Sequence, residues 1–123
     1  MDDNNLDLDR IVVGVDGSAS SIAALRYGAR IAEAFDAPLE AVTTWTYPPY
    51  ADAYLVAGWS PEQDAEASLD HAVETAFAGD PPDALTRTVA VGPAARTLIE
   101  LSKGCGMLVL GSRGRGGFVG LLL

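Results

Sequence analysis

The chain has 123 residues, enough for one domain that buries roughly two-thirds of its unfolded surface and too few for a second full domain. Against 8 lysines and arginines stand 17 aspartates and glutamates, and the resulting −9 repels a phosphate backbone and argues against general nucleic-acid binding. With 49% hydrophobic and 20% charged residues the chain is expected to fold, and Cys105, its only cysteine, excludes an intrachain disulfide or multi-cysteine metal centre and fits the reducing cytoplasm.

The opening MDDNNLDLDR carries four aspartates and no basic n-region, so residues 1–9 read as a disordered acidic tail and not as a signal peptide. Arg10 to Val15 (RIVVGV) is a β-branched run that predicts a buried strand, closed by Asp16-Gly17-Ser18. Ser18 or Ser20 then serves as the cap of a helix whose inner face is predicted from Ile22, Leu25, Ala29, Ala32 and Phe35. Asp36-Ala37-Pro38 stops that helix, and Leu39 to Trp45 (LEAVTTW) is a second strand.

Thr46 to Trp59, with two prolines and three tyrosines, keeps neither period and reads as a long loop, a structural connection or a lid. Ser60-Pro61-Glu62-Gln63 is a capping box that starts a helix running to about Ala78, with Ala65, Leu69, Val73 and Ala76 inward. Glu62, Glu66, Asp70 and Glu74 repeat at four-residue steps, a spacing of like charges that predicts a solvated face. After the turn Gly79 to Asp83, Leu85 to Val91 is a third strand; Gly92-Pro93 opens a helix with Ala94, Leu98 and Leu101 on one stripe, closed by Lys103-Gly104. Met107 to Leu110 is a fourth strand. No apolar run of about 18 residues occurs, so no membrane span is expected. Alternating strands and helices predict a doubly wound, mostly parallel α/β sheet with right-handed crossovers, a single domain over residues 10–123.

In such sheets ligands bind beyond the carboxyl ends of the strands, where successive connections leave in opposite directions. Two strand ends carry unusual residues there. The first ends in Asp16-Gly17-Ser18, and the fourth in a turn holding Gly111, Gly114, Gly116, Gly117 and Gly120, whose bare backbone can aim several N–H groups at one anion. Arg113 and Arg115 make residues 111–123 sum to +2 while residues 1–110 sum to −11, so the basic patch falls where a phosphate would sit. The plain alternatives are a helix-terminal acid at Asp16 and a flexible glycine loop.

Familiar phosphate sites do not match. There is no G-x-x-x-x-G-K-[ST], and the turn after the first strand carries Asp16 in place of a G-x-G-x-x-G run. Neither Ser/His/Asp nor Cys/His arrangements stand out; His71 lies within the acidic helix and reads as a surface residue, and Cys105 as a small hydrophobe. Enzyme turnover is therefore not expected.

The segments IVVGVDGSASSIAALRYGARIA, Val91-Gly92-Pro93-Ala94 and LVLGSRGRGGFVGLLL resemble the universal stress protein family, from about Arg10 to the last residue. Its ATP-binding members are similar to one another in G-x-x-G, nine residues, then G-[ST]; Gly111 and Gly114 match the first pair, and Leu123 is the ninth spacer residue. The resemblance implies five parallel strands in the order 3-2-1-4-5, with the fifth strand and last helix, roughly 20 residues, missing here. It also implies a regulatory ATP-binding module in stress response with little or no hydrolysis. Asp16 would meet the ribose or an ATP-bound Mg²⁺, the main chain near Thr44 and Trp45 would face adenine, and Gly92 would let the base approach. Gly111, Ser112, Arg113 and Gly114 would surround the phosphates. In this family the last strand often pairs across a homodimer, an expectation weakened by its absence, and an uncovered fourth strand favours self-association. The alternative is a truncated domain that binds no nucleotide and acts through protein contacts.

Overall fold

Ile11, Val12 and Val13 are stiff at χ1 and suited to a pleat covered on both sides, and they form the central strand β1 (Ile11–Gly14), buried at every residue. The structure, a computed structural model, describes residues 9–47 and 60–112. Residues 1–8 of the acidic tail, most of the tyrosine loop, and residues 113–123 with Arg113, Gly114, Arg115, Gly116, Gly117 and Gly120 therefore lie outside the described residues.

Helix α1 (Ala19–Phe35) is capped by Ser18, whose Oγ accepts the Ser21 N–H at 3.1 Å, so the first of the two candidate serines is the cap. The helix ends on Asp36 in the left-handed region at φ 53°, and the next amide, that of Ala37, donates to the Ala32 carbonyl at 2.8 Å. Its buried face is Ser21, Ala24, Leu25, Gly28 and Ala32. Ile22 and Ala29 are only partly buried and Phe35 is 47% exposed, which rotates the face from the one the apolar spacing predicts. The reason is close packing. A Cβ on Gly28 would stand 2.6 Å from Val13 Cγ2, so a glycine lets the helix axis approach the sheet, and the inner stripe centres on it.

Strand β2 (Leu39–Trp45) follows, then α2 (Pro61–Phe77), where Ser60 Oγ accepts the Gln63 N–H at 3.2 Å and Pro61 stands in the first turn. Glu62, Glu66, Asp70 and Glu74 are all exposed, and Asp70 accepts from Arg87 of the next strand at 2.7 Å. Strand β3 (Leu85–Val91), helix α3 (Ala94–Leu101) and strand β4 (Met107–Val109) complete the order; α3 is capped at Ser102, short of the predicted Lys103-Gly104 stop.

The four strands are parallel in the order β3-β2-β1-β4, with Ile11 level with Leu39 on one side and Met107 on the other. The doubly wound α/β architecture is as expected. Side chains alternate across a strand, so Ile11, Val13 and Val15 join Leu25, Leu69, Ala72 and Val73 in a core under α1 and α2. Val12 and Val42 turn to the other face and meet Leu98 of α3. Connections from β1 and β2 thus run over one face and the connection from β3 to β4 over the other, which makes the β1/β4 boundary the switch point.

On the α3 face a polar strap crosses three strands. Thr88 Oγ1 donates to Glu40 Oε2 at 2.6 Å, Arg10 donates to Glu40 Oε1 at 2.5 Å, and the other arm of Arg10 donates to the Leu101 carbonyl at 2.6 Å. A guanidinium at the end of α3 answers both the Glu40 carboxylate and the negative helix terminus. Arg10→Ala is expected to lose about 1–2 kcal/mol, the value of charge-assisted bonds discounted for partial exposure, read as a lower midpoint in urea with an unchanged slope.

Candidate functional site

Four strand ends bound the open edge of the sheet. At β1 the ladder persists one residue beyond the strand, because the Val15 N–H donates to the Val42 carbonyl at 2.8 Å and Thr43 Oγ1 donates to the Val15 carbonyl at 2.9 Å. The chain then turns at Asp16. Asp16 Oδ1 accepts the Ser18 N–H at 2.9 Å, an aspartate turn closing two residues on, and Gly17 follows at φ 83°, where a side chain would be strained. Asp16 is half-buried, so its carboxylate shapes the entry of α1 and also borders the crevice.

The β1 and β4 ends meet through Ser21. Its hydroxyl, fully buried, accepts the Asp16 N–H at 3.3 Å and donates to the Ser18 carbonyl at 2.9 Å. From the other side, a Cβ on Gly111 would lie 2.9 Å from the Ser21 nitrogen and 2.8 Å from the Ser20 carbonyl carbon. Gly111 is buried and Ser112 exposed, so the chain leaves β4 pressed on the first turn of α1 and opens to solvent one residue later. The glycine at 111 is thus needed for backbone contact with α1. Ser21 is not singled out by the sequence pattern; the run Ser18-Ala19-Ser20-Ser21 at a strand exit is the available signal, and it does not separate the cap from the buried hydroxyl.

Thr44, Trp45 and Gly92 come together at the β2/β3 end. Trp45 is level with Val91, and its carbonyl accepts the Gly92 N–H at 2.8 Å. Gly92 has φ 135°, and the space a Cβ would take is filled by the Thr97 hydroxyl. A tight turn against α3 therefore accounts for this glycine. Thr44 and Trp45 are half-buried, and the Trp45 ring stands edge-to-face with Tyr47 at 4.9 Å and 79°. The structure thus gathers Asp16, Thr44, Trp45, Gly92, Gly111 and Ser112 along one edge.

A second concavity, about 690 Å³, opens at the opposite edge between the end of α1 and the α2–β3 turn. Its rim mixes Arg26 and Arg30 with Glu33, Asp36, Asp80 and Asp83, and none of the predicted site residues lines it. Among the described residues no three His, Cys, Asp or Glu side chains converge as a metal site, and no helix is long and apolar enough to cross a membrane.

Residues 8–123 match the universal stress protein family. A universal stress protein of Mycolicibacterium smegmatis is 35% identical over 127 residues, covering 92% of this chain and 41% of that protein, so the chain spans well under half the length of this relative. Among solved structures, a universal stress protein in complex with cAMP is similar at 26% identity and TM-score 0.66, over 85% of this chain and 77% of that one. UspA from Lactobacillus plantarum shares the fold at 21% identity and TM-score 0.68, over 91% and 82% of the two chains.

Proposed function

Because the chain belongs to the universal stress protein family, we propose that its β1/β4 crevice binds an adenine nucleotide, ATP with Mg²⁺, and that the domain is a regulatory stress-response module with little or no hydrolysis. The observation that carries this reading is that the Asp16 turn and the Gly111-Ser112 exit both bear on Ser21 in the first turn of α1, at the switch point.

In this reading Asp16 accepts from the ribose hydroxyls, and the residues from Gly111 through Ser112 to Arg113 and Gly114 receive the phosphates. Gly92 and the backbone at Thr44 border the base. Where Mg²⁺ accompanies the triphosphate, Asp16 would face that ion in place of the ribose hydroxyls. The ion would supply charge neutralisation at the phosphates, and the chain's own part is to hold the sugar and orient the phosphates. The similar structure that holds cAMP supports the adenine class without requiring a triphosphate.

Calorimetric titration with ATP and Mg²⁺, with cAMP in parallel, tests the reading. Saturable binding is expected, and Asp16→Ala should weaken it about tenfold or more, the value of hydrogen bonds to a charged acceptor. Absence of binding at millimolar nucleotide would instead favour a domain that works through protein contacts.

A further inference from the structure

Every residue of the central strand β1 is buried, whereas no residue of β3 is. Within the described sheet β3 is an outer strand that pairs with β2 alone. Two hydrogen bonds fix which of its backbone groups are spent, since the Ala84 carbonyl accepts the Leu39 N–H at 3.3 Å and the Gly92 N–H donates to the Trp45 carbonyl at 2.8 Å. Successive residues of a strand turn their backbone groups to opposite sides, so the even-numbered residues serve β2. Arg87, Val89 and Val91 therefore turn both N–H and C=O outward, where they meet no partner among the described residues. Leu85 turns its C=O outward, and its N–H is held by the Pro82 carbonyl at 3.1 Å.

The usual devices that blunt such an edge are a proline, a bulge, a short strand or an uncompensated charge. β3 has none of them. It contains no proline, it runs level with β2 residue for residue from Leu85 to Val91 without a bulge, and its one charge, Arg87, is matched by Asp70 of α2 at 2.7 Å. Val91, at its end, is 60% exposed. The other outer strand of the described sheet, β4, has three residues against seven and offers a much shorter ladder.

We propose that β3 pairs antiparallel with β3 of a second copy of this chain, about a two-fold axis at Thr88, so that two four-stranded sheets become one continuous sheet. The register singles out that axis. Centred on Thr88, the strand overlaps itself end to end, and the outward-turned residues fall opposite one another, Leu85 against Val91 and Arg87 against Val89, as the hydrogen-bonded pairs of an antiparallel ladder require. An axis at Arg87 would set two guanidiniums face to face, and an axis at Val89 would put Leu85 opposite Pro93, which has no N–H to donate. With the axis at Thr88 the two Arg87 side chains lie on a diagonal, about 7–8 Å apart, each beside its own Asp70. A seven-residue ladder is a small interface, so the pairing is weak and concentration-dependent. It is independent of nucleotide binding.

Sedimentation velocity over a concentration series is expected to show a reversible monomer–dimer equilibrium. Thr86→Lys, at an exposed position opposite Ala90 of the second copy, should weaken the dimer about tenfold, and Asp70→Asn should weaken it severalfold by leaving the two Arg87 charges uncompensated. Cysteine crosslinking reads the register directly. In a Cys105→Ala background, Thr88→Cys should form a disulfide-linked dimer with oxidised glutathione, because directly opposite residues of a non-hydrogen-bonded pair have Cα atoms about 4.5 Å apart. Thr86→Cys should not, because the two copies of residue 86 stand four residues, about 14 Å, apart along the ladder. A monomer at every concentration would overturn the proposal. So would a dimer that Thr86→Lys leaves unchanged, or one in which cysteines at 86 and 88 crosslink equally.

Discussion

Replacing Gly111 by alanine is expected to lower the melting temperature by on the order of 10 °C and to remove saturable ATP binding. The new methyl would stand 2.8 Å from the Ser20 carbonyl carbon and 2.9 Å from the Ser21 nitrogen. Both are main-chain atoms of the first turn of α1 and cannot swing aside as a side chain would. Either β4 or α1 must shift, at a cost of about 1–3 kcal/mol, and the shift separates the two strand ends that form the crevice. Gly104 makes the control. Unlike Gly111 it has a positive φ, 80°, and a Cβ there meets nothing within 4 Å, so Gly104→Ala adds backbone strain of about 1–2 kcal/mol and leaves the crevice intact. Calorimetric melting and ATP titration of the two variants separate steric displacement from backbone strain; equal ATP affinity in both would show that α1 does not seat on Gly111.

Leu98→Ala carries the second large effect. Leu98 is fully buried and is the one residue of α3 in that class, and with Val12 and Val42 it makes up the buried cluster on its face of the sheet. Truncation of such a leucine costs about 2–5 kcal/mol, more when the surroundings do not collapse. Among the described residues the α3 face has a three-residue buried cluster, whereas the α1/α2 face has thirteen buried residues, so the loss concentrates in α3. Hydrogen exchange should show amides 94–101 losing protection well before those of α1, with Arg10 holding only the carboxyl end of the detached helix. Uniform loss of protection across the sheet would argue against this local weakness.

The legibility of the sequence varies from element to element. β2 and β3 fall on the predicted residues because each run is β-branched and bounded by a proline turn, Ala37-Pro38 before one and Gly92-Pro93 after the other. The parallel order follows from alternating element types and the handedness of crossovers. The inner face of α1 does not follow from its apolar spacing, because hydrophobicity gives no weight to a glycine that serves by having no side chain, as Gly28 does against Val13. At the site, Asp16 and Gly111 stand out by type and placement. Ser21, which joins them, does not, since its function depends on burial between two strand ends about 90 residues apart in sequence. Gly92 is legible as a required glycine, but what fills its Cβ space is the Thr97 hydroxyl of α3. Arg113 and Gly114 lie outside the described residues.

The pairing of Ile11 with Met107 has a consequence for the order of folding. β1 gains its first neighbour, β2, after one helical crossover, and β3 adds to β2 after another, so three strands assemble from segments adjacent in sequence. β4 must instead return across the whole preceding sheet, a closure of high contact order and the slowest pairing to form. Since β4 supplies one wall of the crevice, a chain that has docked only β1 to β3 has no ligand site. Under the proposed nucleotide reading, a ligand would therefore select the finished fold over its immediate precursor, and by mass action its binding would slow the undocking of β4 in particular.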